Sequence, residues 1–158
     1  MTTADPLIEA IRSWKGTPYH HRARIKGVGV DCGQVIIAAH VESGMVEDFD
    51  TGSYPYDWHL HRGQDRYLGF VERHLRRIDS TELSIDARLA TVATYSVPAG
   101  SVIVFKLGRT FSHGAMVTSW PNVVHSYLPS GMVEEISLIN TPLAKRSCRV
   151  YIHPDLLS

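Results

Sequence analysis

The pattern of apolar residues along this sequence changes from helical to β-rich at Val97-Pro98-Ala99-Gly100. Before this segment, the periodic stretches follow the 3.6-residue period of a helix. After it, short runs of β-forming residues alternate with Gly, Pro, Asn and Ser. Helices first and strands afterwards favour an α+β fold, in which a helix buries its apolar surface on an antiparallel sheet. At 158 residues, the chain is expected to form one domain over residues 1–158.

Three helices are predicted before the change of period. The first should begin with Asp5-Pro6 as its N-cap and first residue and should end at Gly16. The second should extend from Cys32 to about Ser43 as a buried central helix, because its residues are apolar around most of its circumference. Gln64 to Ile78 should form an amphipathic surface helix. Residues 80–95 fit either a short helix or irregular chain.

Five strands are predicted in the second half, where they should form the antiparallel sheet. They are Ser101 to Lys106, His113 to Trp120, Val123 to Tyr127, Met132 to Leu138 and Cys148 to His153.

A long loop is predicted between the second and third helices, from Met45 to Gly63. Loops of this length in a compact domain are often functional, so Tyr54, Tyr56 and Trp58 are candidates for the wall of a substrate cleft. The alternative is that these aromatic side chains pin the loop to the core.

The start of the second helix is the strongest candidate for a chemical site. Asp31 fits an N-cap whose carboxylate accepts from the first turn, and Gln34 is placed to complete a capping box. Cys32 then lies at the first helical position, where the helix dipole and a nearby histidinium would lower the pKa of its thiol. The alternative is that Cys32 is a small buried apolar residue, as most free cysteines are.

Two histidines on neighbouring predicted strands are candidates to activate this thiol. A thiol nucleophile needs a base, and the base needs a group that orients it, and His113 and His125 can supply these roles. In a hairpin centred near Pro121 they share a face but lie four residues apart, roughly 13 Å. A bulge, strong twist or wider turn must close that gap. Taken singly, each histidine also fits a structural role.

The remaining histidines and cysteines have simpler interpretations. A zinc site built from His113, His125 and a third histidine such as His153 has no supporting His-x-x-His or Cys-x-x-Cys spacing. The loop histidines should lie at the surface; they are His20, His21, His59 and His61. Cys148 alternates with apolar residues, so it should be buried, and both cysteines should be free thiols.

Charge and hydropathy argue against two classes of partner. Sixteen basic residues balance sixteen acidic ones, so no electrostatic footprint for nucleic acid or an anionic membrane surface is present. No stretch approaches the roughly 18 apolar residues of a membrane span. Met1 to Pro6 lacks the pattern of a secretory signal peptide, so synthesis in the cytoplasm without such a signal is expected.

Several motifs in this order resemble the NlpC/P60 family of papain-like cysteine peptidases, most closely its phage-tail branch. The matching segments are Trp14 to His21, Lys26 to Cys32, Pro98 to Phe105, Phe111 to Val117 and Val124 to Tyr127. The sequence departs from many members at Gly33-Gln34, where they have Ser-Gly, and at Pro98-Ala99-Gly100-Ser101, where they have Pro-Gly-Asp. The first departure lies beside the cysteine and bears on substrate preference.

The resemblance implies a role for each matching residue. It makes Cys32 the nucleophile, His113 the general base and His125 the orienting residue. Tyr19 matches a family aromatic that lines the site and assists the oxyanion hole, where the backbone N–H of Cys32 would be the other donor. Asp31 and Gly33 flank the nucleophile and line the same site.

The resemblance also implies a substrate. It indicates hydrolysis of amide bonds in the stem peptides of peptidoglycan, between γ-D-glutamate and the diamino acid, with no metal or cofactor. The phage-tail branch suggests a component of a phage or gene-transfer particle that contacts other tail proteins and acts on the cell wall. Two alternatives remain: a secreted amidase toxin or acyltransferase on the same fold, and a non-catalytic structural module of the tail.

Overall fold

The computed structural model describes residues 3–47 and 63–157 of the chain. Its first helix, α1, covers Asp5–Arg12 and buries Leu7, Ile8 and Ile11 on one side. The predicted N-cap is wrong by one position, because Ala4 occupies it without a side-chain hydrogen bond. Asp5 instead lies in the first turn, where its negative charge favours the positive end of the helix dipole.

Helix α2, Cys32–Glu42, is the buried central helix predicted from its composition. Its residues from Gly33 to His40 are all buried, and it packs against both α1 and the sheet. Because this helix has no solvent-facing stripe, its apolar residues are distributed around the whole circumference.

Helix α3, Gly63–His74, ends four residues earlier than predicted. Arg76–Arg77 forms an edge strand, β3, which pairs with the strand nearest the C-terminus. The pairing energy of the sheet edge therefore overrides the helical period in this segment. The ambiguous region contains a short helix, α4, at Ile85–Thr91, and the Ser84 hydroxyl caps it by accepting from the N–H of Ala87.

The predicted antiparallel sheet is confirmed. Its strands after β3 are β4 (Val102–Leu107), β5 (Thr110–Ser119), β6 (Asn122–Tyr127), β7 (Met132–Ser137) and β8 (Cys148–Ile152). The order across this six-stranded sheet is β3-β8-β4-β5-β6-β7. A separate two-stranded hairpin of β1 (Arg24–Ile25) and β2 (Gly29–Val30) precedes α2. Two short 3₁₀ turns, Pro142–Lys145 and Pro154–Leu156, flank β8.

Two apolar clusters cover the two faces of the sheet. On one face, α1, α2 and α3 pack on alternate strand residues that include Val104, Met116 and Val124. On the other face, α4 and the Pro142–Lys145 turn cover residues that include Phe105 and Val117. The mixed α+β architecture with N-terminal helices on a C-terminal sheet is therefore as predicted. No helix within the described ranges has the length and apolar character needed to span a bilayer.

Candidate active site

The start of α2 is held in place by backbone contacts from two directions. The N–H of Val30 donates to the carbonyl of Pro18 at 3.0 Å. The carbonyl of Val30 in turn accepts from the fully buried hydroxyl of Ser126, on β6, at 2.8 Å. Because Val30 is two residues before Cys32, these bonds fix the position of the thiol relative to the strand that carries His125.

Asp31 caps α2 as its sequence context predicts. One carboxylate oxygen accepts from the N–H of Gln34 at 2.8 Å and the other accepts from the N–H of Arg22 at 2.8 Å. Burial raises the pKa of Asp31, although these two N–H groups oppose the shift. Asp31 therefore sets the residue at which the helix begins and ties the preceding loop to it.

The thiol of Cys32 contacts β5 on both sides of His113. The ladder between β5 and β6 ends at Met116 and Val124, and beyond it the carbonyl of Ser112 accepts from the thiol at 3.6 Å. The N–H of Gly114 also faces the sulfur and favours its thiolate form. Ser112 is the extra residue of a β-bulge, because Phe105 pairs with His113 while Lys106 pairs with Phe111. Within the described residues, no hydrogen bond joins the thiol directly to the His113 ring.

The expected lowering of the Cys32 pKa is not what the structure shows. Burial raises the pKa of this thiol to about 12, and the negative charge of Asp31 adds to the shift. The N–H groups of Gly114, Gly33 and Cys32 oppose it, yet the helix N-terminus does not offset the loss of hydration. Cys32 keeps part of its surface accessible, and its resting form at neutral pH is the neutral thiol.

His113 and His125 are in direct contact. Nε2 of His113 lies 2.8 Å from Nδ1 of His125, and the exposed fractions of the two residues are 4% and 0%. A register shift between Val117 and Ser119 lets Met116 pair with Val124. Extended past the end of this ladder, the same register brings His113 to a position two residues along the strand from the one opposite His125. That offset is about 7 Å along the strand, and diagonal neighbours at this spacing are within reach of aromatic rings. The bulge anticipated from the sequence therefore closes part of the gap.

Glu134 and Tyr127 complete the surroundings of the histidine pair and were not singled out from the sequence. Glu134 is directly opposite His125 in the β6–β7 ladder, and its Oε1 lies 3.0 Å from Nε2 of His125. The ring of Tyr127 stacks on His125 with centroids 4.7 Å apart and also contacts His113 at 5.2 Å. The turn at residues 128–131 is the signal that could have found Glu134, because strands flanking a four-residue turn pair 125 with 134.

Burial determines the charge of both rings. Burial, with repulsion from His125 as the second cause, lowers the pKa of His113 to about 3. Burial also lowers the pKa of His125, while the hydrogen bond and charge of Glu134 oppose the change. Both imidazoles are therefore neutral at neutral pH, and each has one ring nitrogen that donates and one that accepts.

The other predicted site residues have mixed outcomes. Burial raises the pKa of Tyr19, and the charges of Cys32 and Asp31 add to the shift, so its phenol keeps its proton beside the thiol. Gly33 is buried next to Cys32. Tyr54, Tyr56 and Trp58 lie outside the described residues, as do His59 and His61.

The remaining candidates lie away from the histidine pair. His153 stacks on His40 of α2, with ring centroids 6.4 Å apart. Cys148 is a free, fully buried thiol, as predicted. Within residues 3–47 and 63–157, no cluster of three or more His, Cys, Asp or Glu side chains has the arrangement of a metal site.

Solved structures share this arrangement of elements. An NlpC/P60 family protein from Bacillus cereus superposes with a TM-score of 0.59 over 94% of this chain, at 22% identity. The NlpC/p60 domain of the peptidoglycan hydrolase SagA gives 0.53 over 94%, at 16% identity, and the match covers 98% of that domain. RipD from Mycobacterium tuberculosis, described as a non-catalytic NlpC/p60 domain protein adapted to peptidoglycan binding, gives 0.54 over 95% of this chain and 96% of its own, at 14% identity. The chain has the NlpC/P60 fold.

The NlpC/P60 fold recurs here with little sequence similarity. No protein-family model matches the sequence, and no curated protein matches it. This chain spans 39% of the Bacillus cereus protein and 42% of a second matching protein, NlpC1 from Trichomonas vaginalis. Because the set includes both a hydrolase and a non-catalytic protein, the NlpC/P60 fold alone does not assign an activity.

The rate of alkylation tests whether the thiol of Cys32 is protonated at neutral pH. Because burial raises the thiol pKa to about 12, reaction with iodoacetamide should be slow near neutral pH. The rate should increase about tenfold for each pH unit between roughly pH 7 and pH 10, as the thiolate fraction increases. Mass spectrometry of the labelled protein measures this rate, and the fully buried Cys148 is an internal control for unfolding. A rate already maximal at acidic pH would indicate a preformed thiolate and contradict the neutral resting state.

Proposed function

We propose that this chain is a cysteine peptidase that hydrolyses amide bonds in the stem peptides of peptidoglycan. The observation that carries the proposal is the contact of the Cys32 thiol with the backbone on both sides of His113, whose ring is bonded to His125. A thiol, a base and a group that orients the base are the three parts that nucleophilic acyl transfer requires. The likeness to a domain described as part of a peptidoglycan hydrolase supports the substrate class.

In the proposed acylation step, the thiol proton moves to Nδ1 of His113 as Sγ attacks the scissile carbonyl carbon. For this the side chain of Cys32 turns from the carbonyl of Ser112 toward the ring. Proton transfer concerted with attack suits a pair in which thiol and imidazole are both neutral at rest. His113 then gives its proton to the leaving amine as the C–N bond breaks, and a thioester remains on Cys32.

In the proposed deacylation step, His113 again acts first as a base and then as an acid, with water in place of the thiol. A water molecule gives a proton to His113 while its oxygen attacks the thioester carbon, and the C–S bond breaks as the proton returns to sulfur. In both steps the tetrahedral oxyanion is held by the N–H of Cys32 and the phenol of Tyr19. The raised pKa of Tyr19 keeps that phenol a donor.

The bond that is cleaved and the particle that carries the protein can also be proposed. The bond between γ-D-glutamate and the diamino acid of the stem is the proposed target, and a phage or gene-transfer particle tail is the proposed location. The resemblance of residues 14–127 to the phage-tail branch supports both. The Gly33-Gln34 pair beside Cys32, where many members have Ser-Gly, bears on substrate preference, and its Gln34 is buried.

A second candidate function is binding to peptidoglycan without cleavage. RipD, described as non-catalytic and adapted to peptidoglycan binding, superposes on 95% of this chain and supports this alternative. The neutral resting thiol also fits a protein in which Cys32 has no chemical role.

Digestion of purified peptidoglycan, with mass analysis of the products, separates the two functions. The proposed peptidase should release stem-peptide fragments with a new amino terminus on the diamino acid, and Cys32→Ala should release none. Cys148→Ala is the matched control, because it removes the other thiol, which is buried away from the site, and should retain turnover. Equal product release by the wild type and Cys32→Ala would contradict the mechanism. Sedimentation of both proteins with the wall and no products would favour the binding module.

A further inference from the structure

We propose that Glu134 is a positioning residue that fixes the proton arrangement of the His125–His113 pair, so that Nδ1 of His113, the ring nitrogen that is not bonded to His125, is the basic one. This inference rests on the proposed function, in which His113 accepts the proton of Cys32. It extends the three-residue arrangement by a fourth side chain on the next strand.

The contact between Glu134 and His125 is built into the register of the sheet. The two residues are direct partners in the β6–β7 ladder, and Oε1 of Glu134 lies 3.0 Å from Nε2 of His125. The His125 ring is fully buried, whereas the Glu134 side chain is 26% exposed. The carboxylate therefore joins a buried ring to the solvent-accessible side of the site.

Hydrogen-bond chemistry then assigns a direction to the chain of contacts. A carboxylate can only accept, so Nε2 of His125 carries the proton and donates to Glu134. Nδ1 of a neutral His125 is consequently an acceptor, and Nε2 of His113 donates to it across 2.8 Å. The proton of His113 is then on Nε2, and the lone pair of its Nδ1 is free to take the thiol proton. In the opposite arrangement, His113 would carry its proton on the nitrogen that must be basic.

The groups packed around the two histidines show why Glu134 is suited to orient them. From α2, Cys32 approaches β5, and the helix cap Asp31 and Tyr19 of the N-terminal segment lie near the thiol. Tyr127 of β6 covers both rings, and Phe105 of β4 contacts His113. In the part of the chain that the structure describes, the carboxylate at ion-pair distance from His125 is that of Glu134.

The neighbouring Glu135 has a separate role on the other face of β7. It accepts hydrogen bonds from Arg12, Lys15 and Thr118. Burial alone would raise the pKa of Glu135, but the bonds from Arg12, Thr118 and Lys15 lower it to about 2. Glu135 is thus the matched control, since it is an adjacent glutamate of the same strand whose contacts do not include the histidines.

The test compares Glu134→Gln, Glu134→Ala and Glu135→Gln in the full chain. Gln keeps an oxygen that accepts from His125 and loses the charge, whereas Ala loses both. We expect Glu134→Ala to reduce kcat/KM at least about tenfold, because the orienting group of a catalytic histidine commonly has effects of this size or larger. Glu134→Gln should recover most of that loss, and Glu135→Gln should match the wild type after correction for any change in thermal stability.

The pH profile separates positioning from a merely structural contribution. A carboxylate favours the protonated form of the pair, so removing its charge should move the acidic limb of kcat/KM to lower pH in Glu134→Gln. Imidazole ¹⁵N spectra should show His113 and His125 protonated on Nε2 in the wild type and in Glu134→Gln, and a mixture of tautomers in Glu134→Ala. Wild-type tautomers and wild-type kcat/KM in Glu134→Ala would overturn the proposal.

The spectra also distinguish failure of this inference from failure of the proposed function. If the wild type cleaves no peptidoglycan, the peptidase assignment fails, while the ¹⁵N tautomers still report whether Glu134 orders the rings. If the wild type is active and the tautomers of Glu134→Ala are unchanged, the peptidase assignment stands and the role of Glu134 is overturned.

Discussion

In the proposed peptidase, His113→Ala is expected to reduce kcat for stem-peptide hydrolysis by about 10⁴-fold, because it removes the proposed base that moves protons to and from sulfur and the leaving amine. The thiol in this site is neutral at rest, with its pKa raised to about 12 by burial, so it has little activity without a base. Steady-state kinetics on a defined stem peptide measures the effect, and circular dichroism establishes that the variant is folded.

His153→Ala is the matched control for His113→Ala. His153 lies beyond the end of β8 and stacks on His40, away from the histidine pair, so its loss should leave kcat close to the wild-type value. A folded His113→Ala variant with near wild-type kcat would refute its assignment as the base. The same result for His125→Ala would place the orienting role elsewhere.

Arg88→Met is expected to lower the free energy of unfolding by about 3 kcal/mol, the lower end of the effect of removing one partner from a buried ion pair, because Arg77 still lies 2.8 Å from the Asp79 carboxylate. The Arg88 side chain is 4% exposed and lies 2.8 Å from the Asp79 carboxylate. It also donates to the carbonyl of Cys148 at 2.7 Å and to the hydroxyl of Tyr95 at 3.1 Å. Met has a similar length but none of these donors, so Asp79 and the carbonyl of Cys148 lose a buried partner.

Arg73→Met is the control for Arg88→Met, because it removes the same charge from an exposed position on α3 and should change stability by less than about 0.5 kcal/mol. Urea denaturation of the three proteins gives the comparison. If Arg88→Met does not fold, Arg88→Lys keeps the charge and loses the planar set of donors, and should show an intermediate loss. Equal unfolding midpoints for Arg88→Met and Arg73→Met would contradict a structural role for the buried guanidinium.

Local sequence signals predicted the helices and strands whose ends are set by residues of the same segment. The Asp31 cap and the apolar composition after it located α2 to within one residue, since capping and burial of a helix depend on residues of that segment. The turn residues of the second half located β4 to β8 within a few residues, because strands there are bounded by Gly, Pro and Asn. Arg76–Arg77 was assigned wrongly because its strand exists only through pairing with β8.

By itself, the sequence determined the α+β class, the position of Cys32 at a helix start and the placement of His113 and His125 on the same face of two strands. These properties depend on periodicity and capping over a few residues. The tertiary structure decided what lies between them: the bulge at Ser112, the register that brings the two rings within 2.8 Å, and the Glu134 carboxylate behind them. It also decided the protonation of the thiol, because burial is a property of the packed chain and here outweighs the helix N-terminus that the sequence places beside Cys32.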